Sequence, residues 1–246
     1  MLKKKIIGAL AAASMLLTMT GCSLFSTTPT SALGTYDFTQ MELVQLEEPY
    51  EGQPVATIET SLGTITAVLY PNYAPNTVAN FIARVNDGFY DGKKIYGVQP
   101  GAYFITGASN EEGTAGVTED GKPIANECSV DLWPFKGAMM AYNGNAGYGD
   151  SRFFVVNNVE LTDDDVETLR SYKDADGNQK IPEELIQAFI REGSVPHVAG
   201  LYTVFGQAID GLDVVEKLTE VEINSDAMNP IEDIYINKIT LSEYKK

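Results

Sequence analysis

What most constrains this chain is its punctuation. Short β-branched or aromatic runs recur between Gly, Asn and Asp turns, and a sustained helical period is rare. VATIET (55–60) and TITAVLY (64–70) are separated by Ser61-Leu62-Gly63, a length that suits a tight antiparallel hairpin. Further runs of the same kind occupy 103–107, 137–141, 153–156, 202–208 and 234–241. Many short strands with few helices predict a mainly β fold, a closed barrel or a sandwich. One amphipathic helix interrupts the strands: Ala74-Pro75 opens it, Val78, Phe81, Ile82 and Val85 form its apolar stripe, and Gly88 lies past its end. Residues 161–193 read as a helical insertion. Thr162-Asp-Asp-Asp165 is a capping box ahead of Val166, Leu169 and Arg170, and Pro182-Glu-Glu opens a second helix with Leu185, Ile186 and Phe189.

The first 54 residues follow other rules. Lys3, Lys4 and Lys5 precede an apolar stretch over 6–19, which falls short of the roughly 20 residues a membrane-spanning helix needs. Leu17-Thr-Met-Thr-Gly21-Cys22 follows and resembles a bacterial lipoprotein signal, in which small residues precede a cysteine that is lipidated and becomes the new first residue. The expected division is a signal peptide over 1–21, a lipidated Cys22 with a tether over 22–54, and a folded domain over 55–246 that carries the insertion. Acyl chains on Cys22, at about 0.8 kcal/mol per buried methylene, would anchor the protein to the cell membrane on its extracytoplasmic face. Residues 35–54 are polar and acidic with scattered Tyr36, Phe38, Leu43, Val44 and Leu46, a pattern that leaves open whether they lie on the domain.

Charge and composition exclude several function classes. Seventeen Lys+Arg face 34 Asp+Glu, a net −17, and losing the three leader lysines leaves 14 against 34, or −20. Such a surface repels phosphate backbones, so no nucleic-acid partner is expected. Cys22 and Cys128 with the single His197 supply neither a disulfide framework nor a four-ligand zinc site, and no metal or cofactor is expected. Cys128, near Glu127 and Asp131, reads as a small core residue. Asp174-Ala-Asp176-Gly-Asn178 fails the calcium-loop spacing and reads as a solvated turn. Asn143-Gly-Asn-Ala-Gly-Tyr-Gly149 lacks the helix and the Lys-Ser/Thr ending of a phosphate loop. A monomer is expected.

Several blocks, in order, carry a family resemblance: the 55–70 hairpin, Ala74-Pro75 with Asn80-Phe81, Gly88-Phe-Tyr-Asp-Gly92, Gly137-Ala-Met-Met-Ala141, Ser151-Arg-Phe-Phe154, Pro196 to Gly206, and Gly211-Leu-Asp-Val-Val-Glu216. Over about 55–241 the chain resembles a cyclophilin-type peptidyl-prolyl cis-trans isomerase. The resemblance implies a closed eight-stranded antiparallel barrel capped by helices, with a proline pocket on its outer face. It also implies prolyl isomerisation of proline-containing polypeptides. A prolyl amide resists rotation by ~18–20 kcal/mol through conjugation, so catalysis means favouring the twisted amide over both planar forms. The family does this with an apolar socket and an arginine aimed at the prolyl nitrogen, without nucleophile, metal or cofactor.

At that arginine the chain departs from the pattern. The family's Phe-His-Arg block falls on Ile95-Tyr96-Gly97, and neighbouring pocket positions hold Ala102, Tyr103 and Ile105. The family's second glutamine falls on Arg152. The resemblance keeps Ala141 and Phe154 as socket walls, puts His197, Val198 and Tyr202 on the rim, and makes 143–149, beginning at Asn143, the loop bordering the groove. Tyr96, Tyr103 and Tyr142 add aromatic surface near one groove. Two expectations follow. Either Arg152 reaches across as a relocated donor, or the barrel survives as a non-catalytic proline-binding or chaperone-like module. Losing a charge-assisted hydrogen bond of ~1.5–3 kcal/mol would slow turnover roughly 10- to 150-fold.

Overall fold

The computed structural model describes residues 32–144 and 147–246, so the signal segment and Cys22 lie outside the described residues. In chain order the elements are β1 (Pro54–Thr60), β2 (Gly63–Leu69), α1 (Pro75–Asn86), β3 (Lys93–Lys94), β4 (Gly97–Gln99), β5 (Tyr103–Thr106), β6 (Ile124–Ala125), β7 (Ala138–Tyr142), β8 (Tyr148–Gly149) and β9 (Arg152–Val156). They continue with α2 (Asp163–Ser171), α3 (Glu183–Glu192), β10 (Val204–Asp210), α4 (Leu212–Thr219), β11 (Ile223–Asn224), β12 (Asn229–Pro230) and β13 (Tyr235–Glu243). The 55–70 hairpin forms as expected: β1 and β2 pair antiparallel in continuous register from Val55↔Val68 to Thr60↔Gly63. Helix α1 begins with Pro75 at its first turn and lays Val78, Phe81 and Val85 inward.

Nine strands make one antiparallel sheet in the order β3-β13-β1-β2-β10-β7-β9-β5-β4. The sheet curls but does not close, which corrects the expected closed eight-stranded barrel to a nine-stranded half-barrel. The reason lies at the seam, where β3 and β4 are nearly one strand. Lys93 and Lys94 pair with β13, Ile95 donates to Ile234 O at 2.8 Å, and Tyr96 donates to Ile105 O at 3.1 Å. From Gly97 onward the pairing is with β5. The strand therefore hands over from one neighbour to the other, and the ladder stops at both edges. The Thr106 hydroxyl, donating to Lys94 O at 3.0 Å, bridges the gap.

Alternation along the strands sorts side chains into two sets. Inside the curl, Phe81, Tyr90, Phe153 and Phe205 stack at centroid distances of 5.3–6.1 Å among Ile58, Ile65, Leu69, Phe104, Met139 and Val215. The buried Tyr90 hydroxyl donates to Ser151 O at 2.9 Å, so the core contains a satisfied polar group. The outer face of β5, β7 and β9 carries a second cluster.

A third cluster lies apart. The insertion forms two helices, α2 and α3, with the Thr162–Asp165 capping box reciprocally bonded. Leu169, Ile181, Leu185, Ile186 and Phe189 bury against Trp133 and Phe135, and Leu33, Tyr36, Phe38, Met41 and Leu43 close the same core. The question left open for 35–54 is thus decided, and 32–34 of the expected tether lie on the domain with them. Residues 32–54 lie against the domain because most of their scattered apolar side chains find a partner surface on the insertion, the 130–135 stretch and Ala199, while Val44 packs on the outer-face cluster. The 174–178 turn carries only local bonds, Asp174 accepting from Asp176 N and Asn178 N, and no cluster of metal-ligating side chains occurs among the described residues.

Candidate functional site

Strand register builds the site. Across β4, β5, β9, β7 and β10 one outward-facing row reads Gly97, Ile105, Phe154, Met140, Val204. The next row pairs Tyr103 with Val156, and the row on the other side pairs Arg152 with Tyr142. Phe154 is the centre. Tyr103 tilts against it at 5.0 Å, Tyr202 meets it edge-on at 5.2 Å, Tyr142 lies at 6.4 Å, and Tyr142 and Tyr202 are 5.9 Å apart. Ala102, Val156 and Val198 complete the buried apolar floor. Burial pushes the Tyr103 hydroxyl up to about 12 and raises Tyr202, so both of these rings stay neutral. The face is a shallow, uncharged aromatic surface with phenolic rims.

The structure brings together Tyr103, Ile105, Phe154, Val198 and Tyr202 from the sequence expectations, and adds Met140 and Val156, which sit one pleat along or across from Phe154. Three expected members stand elsewhere. Ala141 pairs with Phe153 and belongs to the interior core, because strand alternation that turns Phe154 and Met140 outward must turn Ala141 inward. Tyr96 is tucked under the 107–117 segment beside Gly113, and its buried hydroxyl lacks a hydrogen-bond partner. His197 sits in the turn Pro196–Val198 with Asp165 of α2 as its charged neighbour; burial lowers its pKa more than Asp165 raises it. Asn143 accepts from Arg152 Nη2 through its backbone carbonyl. Cys128 is half-buried, its thiol pKa raised by burial, and it donates to Tyr202 O at 3.4 Å.

Gly97 does not leave an open space. A methyl group there would stand 3.3 Å from Ile105 Cδ1, so Ile105 fills the ground beside Phe154. Arg152, the nearest cation, shares the outward face but is 5% exposed and fully employed. Its Nε donates to Asp150 at 3.0 Å, Nη2 to Asp150 at 2.6 Å and to Asn143 O at 2.5 Å, and Nη1 to Gly113 O at 3.0 Å. Its guanidinium carbon lies 5.4 Å from the Tyr142 ring centre. Burial opposes the charge, but the Asp150 carboxylate outweighs it and the pKa is raised. Arg152 is therefore not the open donor reaching across the face that one of the two expectations required. Asp150, two residues away, was the partner the sequence offered for Arg152; the 107–117 segment was missed because its contact with Arg152 is set by folding. A separate groove of about 380 Å³ opens beyond Tyr96, between Lys93, Lys94, Asn110, Glu111 and Asp233. Its Lys94 is paired with Asp233 at 2.5 Å, and its walls are polar, unlike the Phe154 face.

Comparison with known proteins points the same way. A family model described as cyclophilin type peptidyl-prolyl cis-trans isomerase/CLD matches residues 55–241. A Streptococcus pyogenes protein provisionally named a bifunctional phosphatase/peptidyl-prolyl cis-trans isomerase is 30% identical over 202 residues, spanning 81% of this chain and 41% of that protein. A Staphylococcus aureus protein provisionally named a peptidyl-prolyl cis-trans isomerase is 28% identical over 197 residues, 80% of this chain and 96% of that one. In fold, the chain is similar to a Cryptosporidium parvum cyclophilin type peptidyl-prolyl cis-trans isomerase crystallised in the presence of the dipeptide Ala-Pro. The TM-score is 0.58 at 19% identity, covering 76% of this chain and 98% of that one.

Proposed function

The chain belongs to the cyclophilin-type peptidyl-prolyl cis-trans isomerase family, and from that premise we propose that it isomerises X-Pro bonds of extracytoplasmic polypeptides on the Phe154 face. The observation that carries the reading is the uncharged aromatic surface of Tyr103, Tyr142, Phe154 and Tyr202 over Met140 and Val156. A proline ring is apolar, flat and without an N–H, so it suits a surface of this kind. The same surface favours rotation. Twisting the amide removes the charge separation of the conjugated form, and an apolar surface disfavours that separated charge more than water does. No covalent step is involved. The row that begins at Gly97 carries no cation, so the turnover proposed is slower than that of a site with a donor there, by the roughly 10- to 150-fold that a missing charge-assisted bond implies.

Anchorage to the outer face of the cell membrane through a lipid on Cys22 is part of the same proposal. It is supported by the Lys3–Lys5 cluster, the short apolar stretch and the small residues before Cys22. Among the described residues, no helix is long and apolar enough to cross a membrane.

The engagement of every nitrogen of Arg152 favours a second reading, binding without turnover. NMR exchange on a short acetylated Ala-Ala-Pro-Phe peptide separates the two. Exchange above background that falls in Phe154→Ala supports the isomerase. Background exchange accompanied by peptide shift changes leaves a proline-binding module.

A further inference from the structure

We infer that Asp150 and Arg152 are positioning residues: their ion pair latches the 107–117 segment down on Tyr96, so that this segment forms one wall of the peptide groove. The inference rests on the reading of the Phe154 face as the peptide site. The segment is a compact loop whose two ends meet on one hydroxyl. Ser151 Oγ donates to Gly107 O at 2.8 Å and accepts from Val117 N at 3.0 Å. Inside the loop, Ser109 N donates to Ala115 O, Ala115 N to Asn110 Oδ1, and Asn110 Nδ2 to Thr114 Oγ1, at 2.8–3.0 Å. Such closure is that of an Ω-loop, whose own bonds keep it in shape.

What fixes the loop to the barrel is the pair. Asp150 takes Arg152 N, Nε and Nη2, which leaves Nη1 pointing at Gly113 O in the loop and Nη2 at Asn143 O in the following turn. Both side chains are nearly out of water, at 6% and 9% exposure, so the bonds compete with little solvent. The seat is tight. A methyl group on Gly113 (φ +72°) would fall 2.1 Å from Tyr96 Cδ2, and one on Gly116 would fall 2.0 Å from Asp150 Oδ1. The loop backbone is thus in contact with both the tyrosine and the latch, and only glycine lets it approach so closely. Arg152 also packs on Tyr142, which touches Phe154 and Tyr202, so the latch connects the loop to the aromatic face.

The test uses the full chain and four variants: Arg152→Ala, Arg152→Lys, Gly113→Ala and Gly116→Ala. Amide hydrogen exchange without peptide is read at Ser109, Ala115 and Val117, and the Ala-Ala-Pro-Phe peptide gives KM and kcat. Near-UV circular dichroism confirms that each variant is folded. Gly113→Ala presses on Tyr96 rather than on the Asp150–Arg152 pair and so serves if removal of Arg152 prevents folding, whereas Gly116→Ala presses on the Asp150 carboxylate itself. A latch predicts faster loop exchange in all four variants, with KM raised about tenfold, the size of one lost hydrogen bond, and kcat within about twofold. Lysine at 152 keeps its charge beside Asp150 but cannot span both carbonyls, so it rescues only part of the KM. If the glycine variants leave KM unchanged while Arg152→Lys lowers kcat, Arg152 is a donor and the inference falls. If the wild-type chain shows no turnover, the isomerase reading fails by itself. Loop exchange and peptide Kd then judge the latch, and unchanged exchange overturns it.

Discussion

The half-barrel interior and the helical insertion with its N-terminal wrap are both dry, aromatic-rich cores, yet they are assembled in opposite ways. Inside the curl, most buried residues sit on a strand or helix whose period announces it, and Phe81 of α1, Phe153 of β9 and Phe205 of β10 meet there. In the satellite core, Trp133 stacks on Phe38 at 5.9 Å, meets Tyr36 at 5.3 Å and Phe189 at 6.0 Å, and none of the first three lies in a strand or an α-helix. A periodic core can be specified locally; a core made of loop residues needs the rest of the fold as its mould. The joint between them is polar. Gln45 accepts from Trp133 N at 2.5 Å and donates to Trp133 O at 2.9 Å and to Gln207 Oε1 of β10 at 2.7 Å.

The largest expected effect comes from the barrel. Phe153→Ala removes a ring that contacts three other aromatics and should cost about 3–5 kcal/mol in urea denaturation. If the cores are coupled, Trp133 fluorescence and far-UV circular dichroism lose structure together. A Trp133 transition at lower urea than the rest would instead make the satellite an independently melting unit.

Gln45→Leu tests the joint itself. Trp133 N and O and the Gln207 amide lose buried partners, with an expected cost of about 1–3 kcal/mol. Because Gln45 bonds Trp133 and Gln207 and none of the rings of the Phe154 face, peptide binding should be unchanged. Loss of peptide binding at equal stability would show that the wrap shapes the Phe154 face and would blur the distinction drawn above.

The smallest effect is a pH dependence. His197 lies between Val198 of the aromatic face and Asp165 of the insertion, and burial holds its folded pKa below the usual value. A depressed pKa means that the unfolded chain takes up the proton first. Stability is therefore full above about pH 6.5 and falls as pH drops toward the folded pKa, by at most about 1.4 kcal/mol per pH unit. Thermal unfolding of His197→Asn across this range should lack that slope. An equal slope in the variant assigns it to carboxylates.

How far the site was legible follows from the same contrast. Phe154, Tyr103, Ile105 and Tyr202 could be placed near one groove from motif order, but Ala141, expected beside Phe154 as a socket wall, faces inward because it pairs with Phe153. Of the partners of Arg152, Asp150 was legible two residues away, but the Gly113 carbonyl was not, because it lies 39 residues upstream in a stretch without period. Nor was the space at Gly97, which depends on Ile105 in the paired strand.

The sequence by itself determined the longer strands, α1, the 55–70 hairpin and the two helices of the insertion, since each rests on turn chemistry and periodicity within a few residues, and the order of its motif blocks carried the family resemblance. Tertiary structure alone decided three things: the handover at residues 95–96 that leaves the sheet unclosed, the wrap of 32–54 over Trp133, and the burial of the Arg152–Asp150 pair beneath Gly113 and Gly116. The physical reason is common to all three. Each is a choice of partner between segments far apart in the chain, and local propensity carries no information about which distant surface will be there to bury against or bond to.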